Sequence, residues 1–163
     1  MDKKNTFITA INENQGLIFK VASIYTNNNE DRNDLSQEII YQLWKSFDTF
    51  QQKSSLSTWM YRVAMNVAIN HLKINKRKVL TVPLNDQFSD FPELDNSKIE
   101  ERWQTFKQHI DKLDLLDKGI VILYLENKSH DEIAKIIGVS TSNVGTKLSR
   151  IKEKLKQQIL KQE

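Results

Sequence analysis

Trp59, Arg62, Asn66, Asn70, Lys73 and Arg77 follow one another at steps of three or four residues, so a helix sets them on a single line. The line carries an aromatic head, two amides and a basic tail. Those groups suit an opened nucleic-acid strand: a ring stacks an unstacked base, an amide donates to and accepts from a base edge, and Lys or Arg neutralises phosphate. Tyr61 could add a second platform, and Lys76 and Lys78 further phosphate contacts. The alternative for Trp59 and Tyr61 is packing at the edge of a helical core. For the run Lys76 to Lys78 it is a solvated helix end favoured by the helix dipole. Asn66 and Asn70 are harder to treat as filler, because Asn is a poor helix former.

Other chemistry is sparse. Asp34 and Glu38 stand one helical turn apart, a spacing that with His71 could serve a metal or an acid-base pair. No second carboxylate or His cluster supports them, and His71 falls toward an apolar face. His109 and His130 have no metal-ligand spacing with it or with each other. The four glycines form neither a phosphate loop nor a dinucleotide fingerprint, and the chain has no Cys. No catalytic constellation, metal site or cofactor is expected, so the chain reads as a binding protein and not an enzyme.

The 163 residues suffice for one medium domain or two small ones. Hydrophobic residues at 39%, charged residues at 28%, four Gly and two Pro point to a soluble all-α protein. The absence of Cys excludes disulfides, zinc fingers and thiol nucleophiles and fits a reducing compartment. The longest apolar run, Ile120 to Leu125, falls far short of the ~20 residues that span a bilayer. MDKKNTFITA does not continue into the apolar stretch of a signal peptide. A cytoplasmic location without membrane insertion is expected. Charge divides the chain unevenly: 11 basic and 7 acidic residues up to 80, 4 and 9 over 81–117, then 9 and 5 over 118–163. Two basic ends flanking an acidic middle suggest two polyanion-binding units and a connector that avoids the polyanion.

The elements that must position these residues follow from periodicity. Phe7, Ile8, Ile11, Leu17, Ile18, Val21, Ile24 and Tyr25 predict a first helix over about 6–26, or two broken near Gly16. NNNED over 27–31 reads as a turn. Leu35, Ile39, Leu43 and Phe47, at steps of four, predict a second helix. The third, with Ser57 as its N-cap, would bury Met60, Val63, Ala64, Val67 and Ile74 opposite the polar line. VPLNDQFSDFPELDNS, with both prolines, reads as a linker over about 79–98 that separates a domain at 1–78 from one at 99–163. Helical signals return with Ile99, Trp103, Phe106, Ile110 and Leu113.

The C-terminal stretch carries the most specific local pattern. Ser129-His130-Asp131-Glu132 has capping-box spacing, DEIAKIIG ends on a glycine suited to a left-handed turn, and Ser140 can cap a following helix. That last helix has its seam at Val144, Leu148, Ile151, Leu155 and Ile159, leaving Ser142, Asn143, Thr146, Lys147 and Arg150 to face elsewhere. A short capped helix, a Gly turn and a longer basic helix make a helix-turn-helix.

DRNDLSQEIIYQLWKSF followed by LSTWMYRVAMNVAINHLK resembles the second conserved region of the sigma-70 family of RNA polymerase sigma factors, in its extracytoplasmic-function (ECF) form. HDEIAKIIGVSTSNVGTKLSRIKEKL resembles the fourth. The resemblance spans about 16–78 and 110–155, in the family's order, without a third-region helical domain or an acidic N-terminal extension. It implies a partner, core RNA polymerase, and a target, promoter DNA. The minus-ten nontemplate strand would lie along Trp59, Tyr61, Arg62, Asn66, Asn70, Lys73, Lys76 and Arg77, and the loop over about 50–57 would help to form a pocket for an extruded base. Asp34, Gln37 and Glu38, with Leu43, Trp44 and Phe47, would dock on the beta-prime coiled coil. Thr141, Ser142, Asn143, Thr146, Lys147 and Arg150 would read the minus-thirty-five element while this domain rests on the beta flap. An anti-sigma protein is a further implied partner. Three positions depart from the family pattern: Gly145 and Met65 stand where relatives often carry a basic residue, and Asn70 where Asp is common.

Two other readings remain at this level. A stand-alone helix-turn-helix regulator would bind duplex DNA tightly without polymerase. A helical hydrolase would have to be built on Asp34, Glu38 and His71.

Overall fold

The computed structural model describes residues 2–50, 52–75 and 97–162. Among them the fold is all-α, with eight α-helices and one 3-10 turn. The chain divides into two compact units, Met1–Ser89 and Asp90–Glu163. Lys76, Arg77, Lys78 and most of the expected linker lie outside the described residues.

In the first unit α1 (Lys3–Glu13) is capped by Asp2, whose carboxylate accepts from the Lys4 amide at 2.6 Å. The helix breaks at Asn14, two residues before Gly16, which gives the two short helices of the second alternative. The Asn14 side chain donates to the Ala10 carbonyl at 2.8 Å, the local competition by which Asn ends helices. Helix α2 (Gln15–Ile24) buries Leu17, Ile18, Val21, Ala22, Ser23 and Ile24, nearly its whole circumference, and so forms the centre of the unit. Helix α3 (Asn29–Ser46) begins inside the expected NNNED turn. Asn28 caps it by accepting from the Asp31 amide at 2.8 Å, while Glu30 and Asp31 complement the positive end of the helix dipole.

Leu35, Ile39 and Leu43 of α3 are fully buried, each worth about 1.5–3 kcal/mol of transfer free energy. A 3-10 turn, Phe47–Thr49, leads to the loop before α4 (Leu56–Asn75). The cap of α4 is Ser55 in place of Ser57: its hydroxyl accepts from the Thr58 amide at 3.2 Å, and its carbonyl from the Trp59 amide at 3.1 Å. Helices α2, α3 and α4 pack mutually around this core.

The second unit starts with α5 (Ser97–Ile110), which opens within the expected linker, and continues with α6 (Leu115–Leu125), α7 (His130–Ile137) and α8 (Thr141–Gln162). Asp114 starts α6 by accepting from the Asp117 amide at 2.8 Å, and Leu113 is buried in the connector before it. Ser129 accepts from the Glu132 amide at 3.1 Å and donates its hydroxyl to the Glu132 carboxylate at 3.3 Å. Gly138, at φ +88°, closes α7 with its amide on the Ala134 carbonyl at 2.8 Å. Ser140 then caps α8 through the Asn143 amide at 3.1 Å. Along α8 the seam is buried at Val144, Leu148 and Ile151, half-buried at Leu155 and exposed at Ile159.

Candidate nucleic-acid interface

On α4 the described part of the polar line beyond Trp59 is exposed: Arg62, Asn66, Asn70 and Lys73 all reach solvent. The opposite face is buried through Met60, Tyr61, Ala64, Met65 and Ala68, with Val63 and Val67 half-buried at its margin. Tyr61 therefore leaves the list of stacking platforms. It is 3% exposed, because with Ala64, Met65 and Ala68 it follows the i, i+3, i+4, i+7 pattern of the core stripe. Met65 is equally enclosed, its sulfur 3.8 Å from the Tyr25 hydroxyl, so a basic residue there would meet the core and not a strand on the track.

Trp59 at the head of the track is half-buried. Its ring lies 5.1 Å from Phe50 and 6.3 Å, edge-on, from Phe47. The chain of rings continues from Phe47 to Phe7 at 5.4 Å and from Phe7 to Trp44 at 5.1 Å. This cluster fixes the loop before α4, which turns through Gln52 at φ +58°. Phe50, Trp59 and the Ser55 cap together hold the rim of the region next to the track.

On α3, Gln37 is exposed and Asp34 and Glu38 are half-buried, Glu38 accepting from the Gln42 amide at 3.2 Å. Burial raises the Asp34 carboxyl above the usual range, Asp31 and Glu30 add to this by repulsion, and His71 opposes it. Leu43 is fully buried and cannot form part of a docking surface: it is the third residue of the Leu35, Ile39 core ladder. Tyr41, which was not among the candidates, is 54% exposed on the same helix. It stands four residues after Gln37 and three before Trp44, a spacing that sets the three on one side of α3. Trp44 is part-covered by Phe7 and by the Lys3 ammonium, 4.3 Å from its ring, while Lys3 also pairs with Asp48 at 2.8 Å. Phe47 is half-buried.

On α8, Thr141, Ser142, Asn143, Thr146 and Arg150 are exposed. Lys147 is half-buried, and its ammonium lies 3.7 Å from the Asp117 carboxylate. At that distance the contact is an ion pair without a hydrogen bond, and the Asp117 oxygen has no hydrogen-bond partner. Burial raises the Asp117 carboxyl, Asp114 adds to this, and Lys147 and Lys154 oppose it. Lys147 thus ties α8 to α6. Thr141 donates to the Asp131 carboxylate at 2.9 Å, pinning the start of α7 beside the first turn of α8.

The remaining candidates do not converge. His109 is buried with Nδ1 3.2 Å from the Gln158 side-chain oxygen, and His130 is exposed. Among the described residues no three or more His, Asp or Glu side chains gather in a metal-binding group, and no helix is long and apolar enough to cross a membrane. The exposed candidate residues of α4 and α8 named above carry amides, hydroxyls and cations. Such surfaces suit recognition of base edges and phosphates.

Residues 10–78 match the family model described as Sigma-70 region 2, and residues 104–155 match Sigma-70, region 4. The RNA polymerase sigma factor SigV of Bacillus subtilis (strain 168) is 29% identical over 170 residues, covering 100% of this chain and 99% of that protein. YlaC, an RNA polymerase sigma factor of the same strain, is 30% identical over 146 residues, covering 83% of this chain and 82% of its own. Among solved structures, the sigma factor RpoE from Bartonella quintana, in complex with the anti-sigma factor NepR, superposes with a TM-score of 0.72. That match has 19% identity and covers 96% of this chain and 97% of the other.

Proposed function

From the premise that the chain belongs to the sigma-70 family of RNA polymerase sigma factors, in its ECF branch, and so acts in transcription initiation, we propose how its surfaces divide that work. The exposed line Arg62, Asn66, Asn70 and Lys73 on α4, with Trp59 at its head, binds the nontemplate strand of the opened minus-ten element. Lys76 and Arg77, which lie outside the described residues, are assigned to phosphate contacts from their place in the sequence alone. The α3 face of Asp34, Gln37, Glu38, Tyr41 and Trp44, with the edge of Phe47, docks on the beta-prime coiled coil of core polymerase. Thr141, Ser142, Asn143, Thr146 and Arg150 enter the major groove of the minus-thirty-five element, Lys147 orients their helix through Asp117, and the second unit rests on the beta flap.

The observation that carries this reading is the asymmetry of α4: one side is closed into the core by Met60, Tyr61, Ala64, Met65 and Ala68, and the other presents amides and cations to solvent. A purely structural helix gains more from Ala, Glu or Lys at such positions than from two Asn. The acidic middle of the chain is repelled by DNA and suits a path through the polymerase between two DNA-gripping units. The protein works in the cytoplasm and is held in check by an anti-sigma protein that covers its polymerase- and DNA-binding faces, a partner recorded for the Bartonella quintana RpoE.

Run-off transcription with purified core polymerase tests the assignment, paired with duplex gel shifts with and without core. A transcript and a shift that both require core are expected. Tight sequence-specific duplex binding by the chain alone would favour the helix-turn-helix regulator instead.

A further inference from the structure

Lys3 and Phe7 precede the stretch 10–78 that matches Sigma-70 region 2, yet both lie against a residue of the α3 docking face. The Asp2 cap starts α1 at Lys3, so Lys3 and Phe7 stand one turn apart on one side of that helix. From there they meet the same indole. The Phe7 ring is edge-on to Trp44, with centroids 5.1 Å apart and planes at 64°, and the Lys3 ammonium lies 4.3 Å from the Trp44 ring.

Each of the two is itself held in place. Phe7 is 8% exposed, and its ring also meets Phe47 edge-on at 5.4 Å, so it cannot turn from Trp44 without losing that packing. Lys3 pairs with the Asp48 carboxylate at 2.8 Å. Phe47 and Asp48 both belong to the 3-10 turn that follows α3, so α1 clips the indole against the end of α3 and the turn after it. Of α1 only Phe7 and Ala10 are buried, which makes Phe7 the larger of its two anchors in the unit.

Trp44 nevertheless stays 36% exposed. A large ring that reaches solvent but is fixed on two sides suits a binding anchor, because a side chain already immobilised loses less conformational freedom when it docks. We propose that Phe7 and Lys3 are positioning residues for polymerase docking: from α1 they fix the Trp44 indole in the orientation in which it meets core polymerase. This rests on the assignment of the α3 face to that partner. Trp44 makes the contact, and α1 acts through it.

The test titrates core polymerase into the full chain carrying a fluorescent label at its C-terminus, and melts each variant alone. Phe7→Leu keeps an apolar side chain and loses the ring; it is expected to weaken core binding about fivefold, the cost of ordering one freed side chain. Lys3→Ala is expected to weaken it about threefold, the worth of a cation over an exposed ring. Its melting midpoint stays that of wild type, because exposed ion pairs add little stability, so it carries the test even where Phe7→Leu melts too low to assay. Lys3→Arg, which keeps the cation, binds like wild type. Trp44→Ala removes the anchor and is expected to lose about thirtyfold. In that background neither Phe7→Leu nor Lys3→Ala weakens binding further, whereas a merely structural role would add its loss in both backgrounds. The proposal is overturned if Phe7→Leu or Lys3→Ala binds core as well as wild type or better, if Lys3→Arg loses as much as Lys3→Ala, or if the losses persist in full without Trp44. Wild-type affinity in Trp44→Ala would instead overturn the docking assignment of the α3 face, and the proposal with it.

Discussion

Replacing both amides of the α4 track should make the protein more stable and less active at once. Asn66 and Asn70 are exposed in the body of α4, so Asn→Ala removes no buried contact and improves helix propensity by about 0.5 kcal/mol at each site. The pair together gains ~1 kcal/mol, which in a unit of this size raises its melting midpoint by about 4–8 °C. The sites are one turn apart and can couple, but neither holds the other in the core. Opening of the promoter should move the other way. If each amide contributes a base-edge interaction at the low end of its range, ~1 kcal/mol, the double variant loses about 30-fold in open complex. Circular-dichroism melts give the first quantity, and permanganate reactivity of unpaired thymines, at matched holoenzyme occupancy, gives the second. Wild-type opening in the double variant, or a lowered melting midpoint, would refute the assignment of these amides to DNA rather than to the fold.

Other substitutions separate surface from core on single helices. Tyr41→Ala, at a 54% exposed residue, should change stability by no more than about 0.5 kcal/mol, yet weaken core polymerase binding measurably in a fluorescence titration. Leu43→Ala, two residues on and fully buried, should cost about 2–5 kcal/mol and show first as a collapsed melting transition. Gly138→Ala meets no neighbouring atom, so its cost of about 1–2 kcal/mol is backbone strain at φ +88° alone, read as a lower midpoint for the second unit. Asp117 sets a pH dependence: its carboxyl is raised in the folded state, so the unfolded chain ionises first. The second unit should therefore lose stability as pH rises from the ordinary carboxylate pKa of about 3.9 through the higher folded value. Asp117→Asn should remove that dependence in melts taken across the window.

The sequence made the repeats legible and left the caps and margins less so. The α3 ladder at steps of four and the α8 seam were readable because each buried position recurs at helical spacing, and the helix-turn-helix because Ser129, Gly138 and Ser140 carry distinct capping chemistry. Three adjacent Asn residues hid which one caps α3, and Ser55 and Ser57 compete for α4 with the same hydroxyl. Tyr61 was misassigned because aromatic residues occupy core and binding sites alike, and only its register with Ala64, Met65 and Ala68 decides. Leu43 belongs to the α3 ladder by its spacing; its place in a docking face came from the resemblance alone, and its burial excludes it. The Lys147 to Asp117 ion pair joins residues thirty positions apart on different helices, which no local pattern encodes.

The central claim is that α4 presents its amide line to an opened nontemplate strand when the chain is bound to polymerase. A photocrosslinking amino acid at position 66, in holoenzyme on a promoter fragment labelled on either strand, measures this directly. The account predicts adducts confined to the nontemplate strand of the melted upstream element and dependent on core polymerase. Adducts on the template strand, adducts formed without core, or none at all in an active complex would contradict it.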